Sequence, residues 1–429
     1  MTRAVLAPAL LIAACAAFGG ETPPNVLFLT ADTLRADALG CYGAAPSPSP
    51  NLDTLAAQSL LFTDCVCDTP LTGPSFSAML TSAPPRANGA THNGLRVSGG
   101  LTTAPELFKA AGYHTWCVQS TWTLKARLSG LDRGFDRYDE AFHKKRWGVV
   151  KAERPADEVT DAALRMLGET PKDRPFFAWV HYIDPHAPYV FHAGFNPSGA
   201  NVWRMPPREG VRARYRSEVA FMDRHIGRLL EALPENTVVL FVADHGESLY
   251  EHGYLGHGRH VYHDNLRVPL MIRAPGTAPG RTDRPAQGID IGPTLLGLAG
   301  IPRAEGMTGL DLLRDPDPEG RVRVVETYGG AVPKLPGFKL LIASGGATHQ
   351  GVIQGNWKLI LPARGLPELY NLSADPAERR NLVRDHGDRV GQMSGHLDLW
   401  LKANNRADGA AVELTAEDEA ALRSLGYLR

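Results

Sequence analysis

The sequence lacks an excess of charge of either sign. Its 429 residues include 45 lysines and arginines against 46 aspartates and glutamates, a formal net charge of −1. A groove for nucleic acid usually shows a basic excess, so the composition argues against a nucleic-acid partner. A small anionic substrate would have to be held by local groups, such as a metal ion, because the overall field is close to neutral.

Cysteine is scarce, with five residues in the whole chain. If Cys15 is removed or modified with the N-terminus, four remain: Cys41, Cys65, Cys67 and Cys117. One or two disulfides are then compatible with an oxidising compartment. Cys65 and Cys67 are separated by one residue, so they do not form a CxxC redox motif. Without a second Cys/His pair at finger spacing, they do not predict a structural zinc site either.

Long hydrophobic runs are missing except at the N-terminus. The run from Ala4 to Ala14 follows one positive charge and is too short to span a bilayer as a mature helix, so we predict a signal peptide over residues 1–20. The letters IAAC at residues 12–15 resemble the bacterial lipobox, in which the cysteine is lipidated. The alternative is an ordinary signal peptide. Either predicts secretion to the cell envelope, as a periplasmic protein or as a lipoprotein anchored to the membrane through Cys15.

Three short apolar runs each lead to an acidic residue, namely Asp32, Asp184 and Asp244. The runs are Asn25–Thr30, Pro175–Tyr182 and Thr237–Ala243. Continuous apolar runs of this length are typical of strands buried on both faces of a parallel sheet. Helix-like stretches lie between them at 51–58, 104–111, 156–167 and 211–233. The alternation predicts an α/β domain with a large, mostly parallel sheet, whose carboxyl edge is where ligands bind.

The C-terminal part of the sequence has a different pattern. Residues 355–361 and 368–372 read as two strands joined by a turn, and residues 377–401 and 416–425 are helix-like. We therefore predict a small C-terminal subdomain of antiparallel sheet plus helix over residues 341–429. It follows a catalytic domain over residues 21–340.

Asp32, Asp244 and His245 are candidate metal ligands because they follow predicted strands, and carboxylate oxygen with imidazole nitrogen suits zinc or manganese. The letters TGPS at residues 72–75 precede a stretch with helix-like apolar spacing. This places the Thr72 hydroxyl at a helix N-terminus, which favours an anion. Two interpretations stay open from the residues alone. Thr72 is a nucleophile, or Thr72 or Ser75 is only the N-cap of that helix.

The histidines are concentrated in one part of the sequence. Nine of the fifteen fall between residues 181 and 263. His257 lies between two glycines, in a loop that could bring its side chain against a ligand. Such a cluster by itself is only a weak indication of metal or proton chemistry.

Several blocks, in order along nearly the whole mature chain, resemble the sulfatase family of the alkaline phosphatase superfamily. They include NVLFLTADTLRADALGCYG, FTDCVCDTPLTGPSFSAMLTS, PFFAWVHYIDPHAPY, VVLFVADHGESLYEHG, GNWKLI and ELYNLSADPAERRNL. The resemblance implies an alkaline phosphatase-like fold, with the large sheet between helices. It also implies hydrolysis of a sulfuric or phosphoric ester of a small molecule, glycan or lipid.

The resemblance also implies roles for individual residues. Asp32, Asp244 and His245 match metal-ligand positions, and Thr72 stands at the nucleophile position, where it would also touch the metal. His186 matches the substrate-contacting histidine of an H-x-P loop, and His257 stands where a substrate-binding lysine is usual. One divalent ion, Zn²⁺, Mn²⁺ or Ca²⁺, is expected. A second ion stays open, with Asp184, His186 and His257 as its candidate ligands.

The sequence departs from the family pattern at several positions. Sulfatases convert a cysteine or serine at the position of Thr72 to formylglycine, and threonine is not a source of that aldehyde. Phe76 replaces the motif arginine, Thr33 replaces a metal aspartate, and Ser120 and Trp122 replace a lysine and a histidine. Two alternatives follow: a threonine-dependent phosphodiesterase or phosphoryl or phosphoethanolamine-type transferase, and a catalytically degenerate surface binding lipoprotein.

Overall fold

The computed structural model describes residues 23–141, 153–197, 199–329, 346–405, 407, 410–411 and 414–425. The predicted signal peptide and Cys15 lie outside the described residues, and so does the predicted boundary after residue 340. Within the described ranges, no helix is both long enough and apolar enough to cross a membrane.

The elements are numbered in chain order. The strands are β1 (Asn25–Ala31), β2 (Leu60–Phe62), β3 (Cys65–Val66), β4 (Leu95–Arg96), β5 (His114–Val118), β6 (Arg137–Asp139), β7 (Phe176–Tyr182), β8 (Thr237–Ala243), β9 (Ser248–Leu249), β10 (Leu255–Gly256), β11 (Leu270–Arg273), β12 (Gly280–Thr282), β13 (Ala286–Gln287), β14 (Val322–Thr327), β15 (His349–Gln354), β16 (Trp357–Pro362), β17 (Glu368–Asn371) and β18 (Ala410–Ala411). The α-helices are α1 (Pro50–Ala57), α2 (Thr72–Thr81), α3 (Pro85–Asn88), α4 (Ala104–Ala110), α5 (Ala126–Ser129), α6 (Ala156–Glu169), α7 (Pro207–Glu231), α8 (His263–Leu266), α9 (Ile291–Leu298), α10 (Gly387–Ala403) and α11 (Ala416–Ser424). Short 3-10 helices cover Ala36–Ala38, Gly40–Tyr42, Trp122–Leu124, Val202–Arg204 and Gly288–Asp290.

The main sheet has eight strands in the order β12-β2-β11-β8-β1-β7-β5-β6. The five strands from β8 to β6 run parallel, while β11 is antiparallel to β8 and to β2. The predicted, mostly parallel sheet is therefore confirmed. The three strands predicted from apolar runs are its central neighbours β8, β1 and β7.

These central strands form because nearly every side chain in them is apolar and inaccessible to water. All seven residues of β7 and all seven of β8 are buried, as are six of the seven in β1. Strands buried on both faces need helices on each side of the sheet, and the apolar faces of the surrounding helices complete one large core with them. The rigid centre of the molecule thus fixes the ends of β1, β7 and β8.

The C-terminal subdomain contains a four-stranded antiparallel sheet in the order β14-β15-β16-β17. Met393 and Leu397 of α10 pack on apolar side chains of this sheet. The predicted antiparallel sheet plus helix is confirmed. The sheet takes its first strand, β14, from residues that precede the predicted boundary.

The helix predicted to begin at residue 377 begins ten residues later, at Gly387. Glu378 has a positive φ of 52°, a conformation that a helix cannot contain. Its buried carboxylate forms a salt bridge of 2.6 Å with Lys358 and accepts a hydrogen bond from the backbone N–H of His263. This buried ion pair outweighs the helix-like spacing of the segment.

No disulfide links the four cysteines of the described chain. Cys41, Cys65, Cys67 and Cys117 are free thiols in the structure. Burial raises the pKa of the Cys65, Cys67 and Cys117 thiols well above its ordinary value. They are therefore protonated and act as small apolar core residues.

Candidate active site

Adjacent parallel strands bring the predicted metal ligands together. The register pairs Ala31 of β1 with Ala243 of β8, so the next residues, Asp32 and Asp244, leave the sheet side by side. With His245 they form a fully buried group whose ligand atoms all lie within 4.8 Å of one another. The structure thus brings Asp32 against two adjacent residues that lie more than two hundred positions later in the sequence.

The hydrogen bonds of this group leave one oxygen of each carboxylate without a partner. Asp244 Oδ1 accepts hydrogen bonds from the backbone N–H groups of Thr33 (3.1 Å) and His245 (2.7 Å). His245 Nδ1 lies 3.0 Å from the Gly246 carbonyl oxygen, which fixes Nδ1 as the protonated nitrogen and leaves the Nε2 lone pair free to bind. Asp32 Oδ1 and Asp244 Oδ2 are buried without a hydrogen-bond partner. Orphaned carboxylate oxygens beside an imidazole lone pair fit a divalent metal ion.

Thr72 lies against this group. It is the first residue of α2, and its Oγ1 atom is 3.5 Å from Asp32 Oδ2 and 3.5 Å from His245 Nε2. The N-cap alternative is wrong, because Leu71 occupies the cap position, and the Gly73 N–H of the first turn donates to Asn93 Oδ1 at 2.8 Å. Ser75 does not cap it either, since its hydroxyl donates to the Asp244 carbonyl oxygen at 2.7 Å.

The electrostatics of the two carboxyl groups differ although they are neighbours. Burial opposes ionisation of Asp32, but the neighbouring His181 imidazole and the charge of His186 lower the pKa of this carboxyl group overall. Burial and the adjacent Asp32 raise the pKa of Asp244 well above its ordinary range. Without a cation the pair therefore shares a proton, and a bound cation would allow both groups to ionise.

Two further predicted residues, His186 and His257, lie beside the group. The ring centroids of His257 and His245 are 4.5 Å apart, and those of His186 and His257 are 5.3 Å apart. Each ring is held through its Nδ1 atom by a carboxylate. Glu153 Oε1 lies 3.1 Å from His186, and both Glu247 oxygens lie 3.4 Å from His257. A carboxylate on one ring nitrogen orients the other toward a ligand.

These two imidazoles have opposite protonation preferences. Burial opposes a charge on His186, but the Glu153 hydrogen bond and the Asp32 charge raise its pKa to about 9. Burial and the charge of His186 lower the pKa of His257 to about 3. Near neutral pH, His186 is a cation that can bind an anionic oxygen, and His257 is a neutral base.

Asp184, the remaining candidate ligand for a second ion, does not join this group. Its carboxylate instead clusters with His192 and Glu218, within 4.8 Å of one another.

The site also contains residues that the sequence analysis did not single out. His181, next to the last residue of β7, places Nε2 3.7 Å from Asp32 Oδ2, and its Nδ1 lies 3.0 Å from the Thr30 hydroxyl. Glu247 follows the predicted ligand His245 by two residues, so its position in the sequence could have predicted that it lies at the site. Glu153 lies in a segment without a recognisable pattern.

Three of the positions that depart from the family pattern, Phe76, Trp122 and Ser120, hold buried residues. Phe76 is fully buried, with its ring 4.9 Å from Trp179 and 4.8 Å from His181. Trp122 donates its indole N–H to Asp418 of α11 at 3.1 Å. Ser120 is buried, and its carbonyl oxygen accepts the Arg154 backbone N–H.

Comparisons with known proteins agree with this architecture. A family model described as Sulfatase matches residues 24–301, and one described as N-sulphoglucosamine sulphohydrolase, C-terminal, matches residues 250–402. The uncharacterized sulfatase YidJ of Escherichia coli is 26% identical over 423 residues, covering 84% of this chain and 83% of the relative. Human arylsulfatase A is 28% identical over 448 residues, covering 87% and 86%.

Solved structures share the fold at lower identity. A protein in complex with its substrate D-glucosamine-2-N,6-O-disulfate superposes with a TM-score of 0.73 at 22% identity, covering 89% of this chain and 98% of that one. The phosphonate monoester hydrolase of Agrobacterium radiobacter superposes with a TM-score of 0.70 at 21% identity, covering 88% and 95%. The observed sheet and C-terminal subdomain thus correspond to an alkaline phosphatase-like fold, as predicted.

Proposed function

The chain belongs to the sulfatase family and is a hydrolase of the sulfuric- or phosphoric-ester type; on that premise we propose that it uses Thr72 as a metal-activated nucleophile. We assign a phosphoric ester as the preferred substrate type. Sulfate-ester hydrolysis by the same threonine is the alternative that the experiment below separates from it.

One observation carries the proposal. Thr72 Oγ1 lies 3.5 Å from Asp32 Oδ2 and 3.5 Å from His245 Nε2, inside the group in which Asp32 Oδ1 and Asp244 Oδ2 lack hydrogen-bond partners. A buried hydroxyl at this place is well situated to act as a fourth ligand and as a nucleophile. A binding protein without catalytic activity would not require that convergence.

The metal site consists of Asp32, Asp244, His245 and the Thr72 hydroxyl. Two carboxylates and an imidazole favour Zn²⁺ or Mn²⁺ over Ca²⁺, which prefers oxygen ligands alone. When bound, such an ion lowers the pKa of the threonine hydroxyl and offsets the negative charge of the ester.

The side chains have distinct tasks in the proposed reaction. The deprotonated Thr72 Oγ1 forms a bond to phosphorus while the bond to the leaving alcohol breaks. His186, held as a cation by Glu153 through Nδ1, donates its Nε2 proton to the leaving oxygen. His257, neutral and held by Glu247, accepts a hydrogen bond from the water that later cleaves the covalent Thr72 ester, and the deprotonated His186 takes the proton of that water.

The missing sulfatase groups favour phosphorus over sulfur. Threonine cannot supply the aldehyde hydrate on which formylglycine sulfatases depend, and Phe76 occupies the arginine position with an aromatic ring packed on its neighbours. A threonine covalent ester can also be taken by an acceptor alcohol instead of water. This keeps transfer of a phosphoryl or phosphoethanolamine-type group as an outcome of the test.

The cell envelope remains the proposed location, with membrane anchoring through Cys15. The support is the sequence of residues 1–20 alone. Labelling cells with a fatty acid analogue, followed by recovery of this chain with and without Cys15→Ser, tests that anchoring. Label that persists in the variant would contradict it.

The function is tested by comparing esters on one enzyme preparation. Metal-loaded full-length protein is assayed with nitrophenyl phosphate, bis-nitrophenyl phosphate, a nitrophenyl phosphonate and nitrophenyl sulfate, with Thr72→Ala as the background for each. We expect Thr72-dependent turnover of the phosphorus esters to exceed that of the sulfate by about 10²-fold or more, an estimate of what differential transition-state binding provides. A preference for the sulfate ester, or turnover that survives Thr72→Ala, would contradict the proposal. Glycerol or ethanolamine is added as an acceptor alcohol in a separate assay. Formation of a phosphoric ester of that acceptor would reveal transfer in place of hydrolysis.

A further inference from the structure

We propose that Asp184, His192 and Glu218 form a second divalent-metal site, separate from the site at Thr72. The three residues are referred to below as the loop site. The proposal does not depend on the nucleophile or on the ester.

The geometry is that of a compact mixed-ligand group. One ligand atom from each residue lies within 4.8 Å of the others. His192 Nε2 is 2.9 Å from Glu218 Oε2. Only 6% of Asp184 and 4% of Glu218 is exposed, whereas the His192 side chain is 21% exposed. The two carboxyl groups are thus held inside the protein, and the imidazole closes the group on the solvent side.

An independent observation points to a missing ligand. The Oδ2 atom of Asp184 is buried without a hydrogen-bond partner. A buried polar atom in that condition is costly, and two adjacent buried carboxylates repel each other. A divalent cation would satisfy the oxygen and neutralise both charges. Burial and the nearby Glu218 also raise the pKa of Asp184, as expected for an acidic pair without a cation.

The surrounding structure holds the three ligands in place. Asp184 follows the end of β7, while Glu218 projects from the long helix α7, so two core elements fix the carboxylates. Glu218 also accepts a hydrogen bond from the Val190 backbone, and the Ser217 hydroxyl accepts one from the His192 backbone at 2.9 Å. The His192 ring stacks on Phe221 at 4.0 Å and 3°. Preorganised ligands of this kind reduce the entropic cost of binding an ion.

The ligand types decide which ion fits. Two carboxylate oxygens and one imidazole nitrogen suit Zn²⁺ or Mn²⁺, with water completing the coordination at the exposed edge. Mg²⁺ and Ca²⁺ prefer oxygen ligands alone and are less suitable.

An ion at the loop site would fasten the loop that carries a proposed catalytic residue. His186 lies between Asp184 and His192 in the sequence, and hydrogen bonds and the stacking of His192 on Phe221 attach this loop to α7. The loop-site ion would therefore keep His186 in position without contacting substrate.

The test counts ions in the full chain. Chelator-treated protein is dialysed separately against Zn²⁺ and Mn²⁺, and bound metal is measured by mass spectrometry for wild type, His192→Phe and His225→Phe. His192→Phe keeps the ring on Phe221 and loses the ligand nitrogen. His225 also contacts Phe221, at 4.6 Å, but is no member of the group, so His225→Phe is the matched control. We expect about one ion fewer per chain in His192→Phe and no change in His225→Phe.

Further variants keep the result interpretable. Glu218→Gln, which retains the size and the hydrogen-bonding oxygen, should lose the same ion, and Asp244→Asn should lose only the ion of the Thr72 site. Equal metal content in wild type, His192→Phe and Glu218→Gln would overturn the loop site and leave a carboxyl pair that shares a proton. A wild-type protein that binds the loop-site ion but no ion that depends on Asp244 would overturn the proposed function and leave the loop site intact.

Discussion

The active site has two halves that differ in how closely they follow the family pattern. The half at the ends of β1 and β8 brings Asp32, Asp244 and His245 together around Thr72, and its metal-ligand positions depart from the family pattern only at Thr33. In the other half, where the resemblance implies basic side chains, Phe76 and Trp122 are part of packed clusters instead. The chain retains the groups that would activate a nucleophile and lacks much of the sulfate-binding charge.

The proposed preference for a phosphoric ester rests on this difference. Histidines supported by carboxylates, His186 with Glu153 and His257 with Glu247, occupy the space around the nucleophile. Such pairs provide one cation and one neutral base, in contrast to the fixed positive charge of arginine and lysine. The predictions below alter one half at a time.

The largest effect is expected from the metal half. Asp244→Asn removes one charged ligand, so turnover of the best phosphorus ester should fall by about 10³-fold, and chelation of the wild type should have a similar effect. Activity is measured with metal content on the same samples. Retained activity in metal-depleted protein would contradict this prediction, because the geometry of the metal half would then have no catalytic consequence.

A smaller effect is expected at the supporting carboxylate of His186. The raised pKa of about 9 means that His186 is charged below that pH and neutral above it. We predict a decline of kcat/KM as pH rises through about 9, and Glu153→Gln should move this decline to lower pH with about a tenfold loss at pH 8. Asp161→Asn, at an exposed ion pair with Arg228, is the control. An unshifted profile would exclude a positioning role for Glu153.

The same pair has a stability consequence with a defined sign. Because the folded-state pKa of His186 lies above the ordinary value of about 6.5, its ionic stabilisation is complete below about 6.5 and is lost as pH rises through about 9. Thermal unfolding of wild type and Glu153→Gln across this range should therefore converge at high pH. Curves that stay parallel would show that the carboxylate acts by packing alone.

The packed half is expected to affect stability more than chemistry. Phe76→Arg would return the family's residue type, yet it would bury a guanidinium among Phe28, Trp179 and His181. We predict a loss of about 3 kcal/mol in the free energy of unfolding and no gain in sulfate-ester turnover. Phe76→Leu is the apolar control, at about 1 kcal/mol. A gain in sulfate turnover by Phe76→Arg would show that the two halves are separable in function as well as in structure.

The smallest effect is expected at Trp122. Trp122→Phe keeps the ring against α11 and removes the hydrogen bond to Asp418, which should reduce stability by about 1 kcal/mol and leave kcat unchanged. Chemical denaturation and steady-state kinetics measure the two quantities. A large loss of kcat would mean that Trp122 acts in the reaction despite its packing role.

The sequence predicted the central fold and the metal half because both depend on local patterns. Apolar runs gave β1, β7 and β8, and residues placed just after them converge once the strands are parallel neighbours. The sequence could not predict Glu153, since its contact with His186 spans 33 residues and depends on tertiary packing. The late start of α10 has a similar cause. The spacing of apolar residues does not reveal the buried Glu378–Lys358 ion pair, which is a tertiary contact.

The most direct measurement tests whether Thr72 becomes covalently modified. The metal-loaded enzyme is mixed with excess bis-nitrophenyl phosphate, quenched in acid at short times and digested, and the peptide containing residues 72–81 is analysed by mass spectrometry. Our account predicts a mass increase of one esterified phosphoryl group on Thr72, formed during the first turnover and absent from Asp244→Asn. A nitrophenol burst with an unmodified Thr72, or modification of another side chain in this peptide, would contradict it.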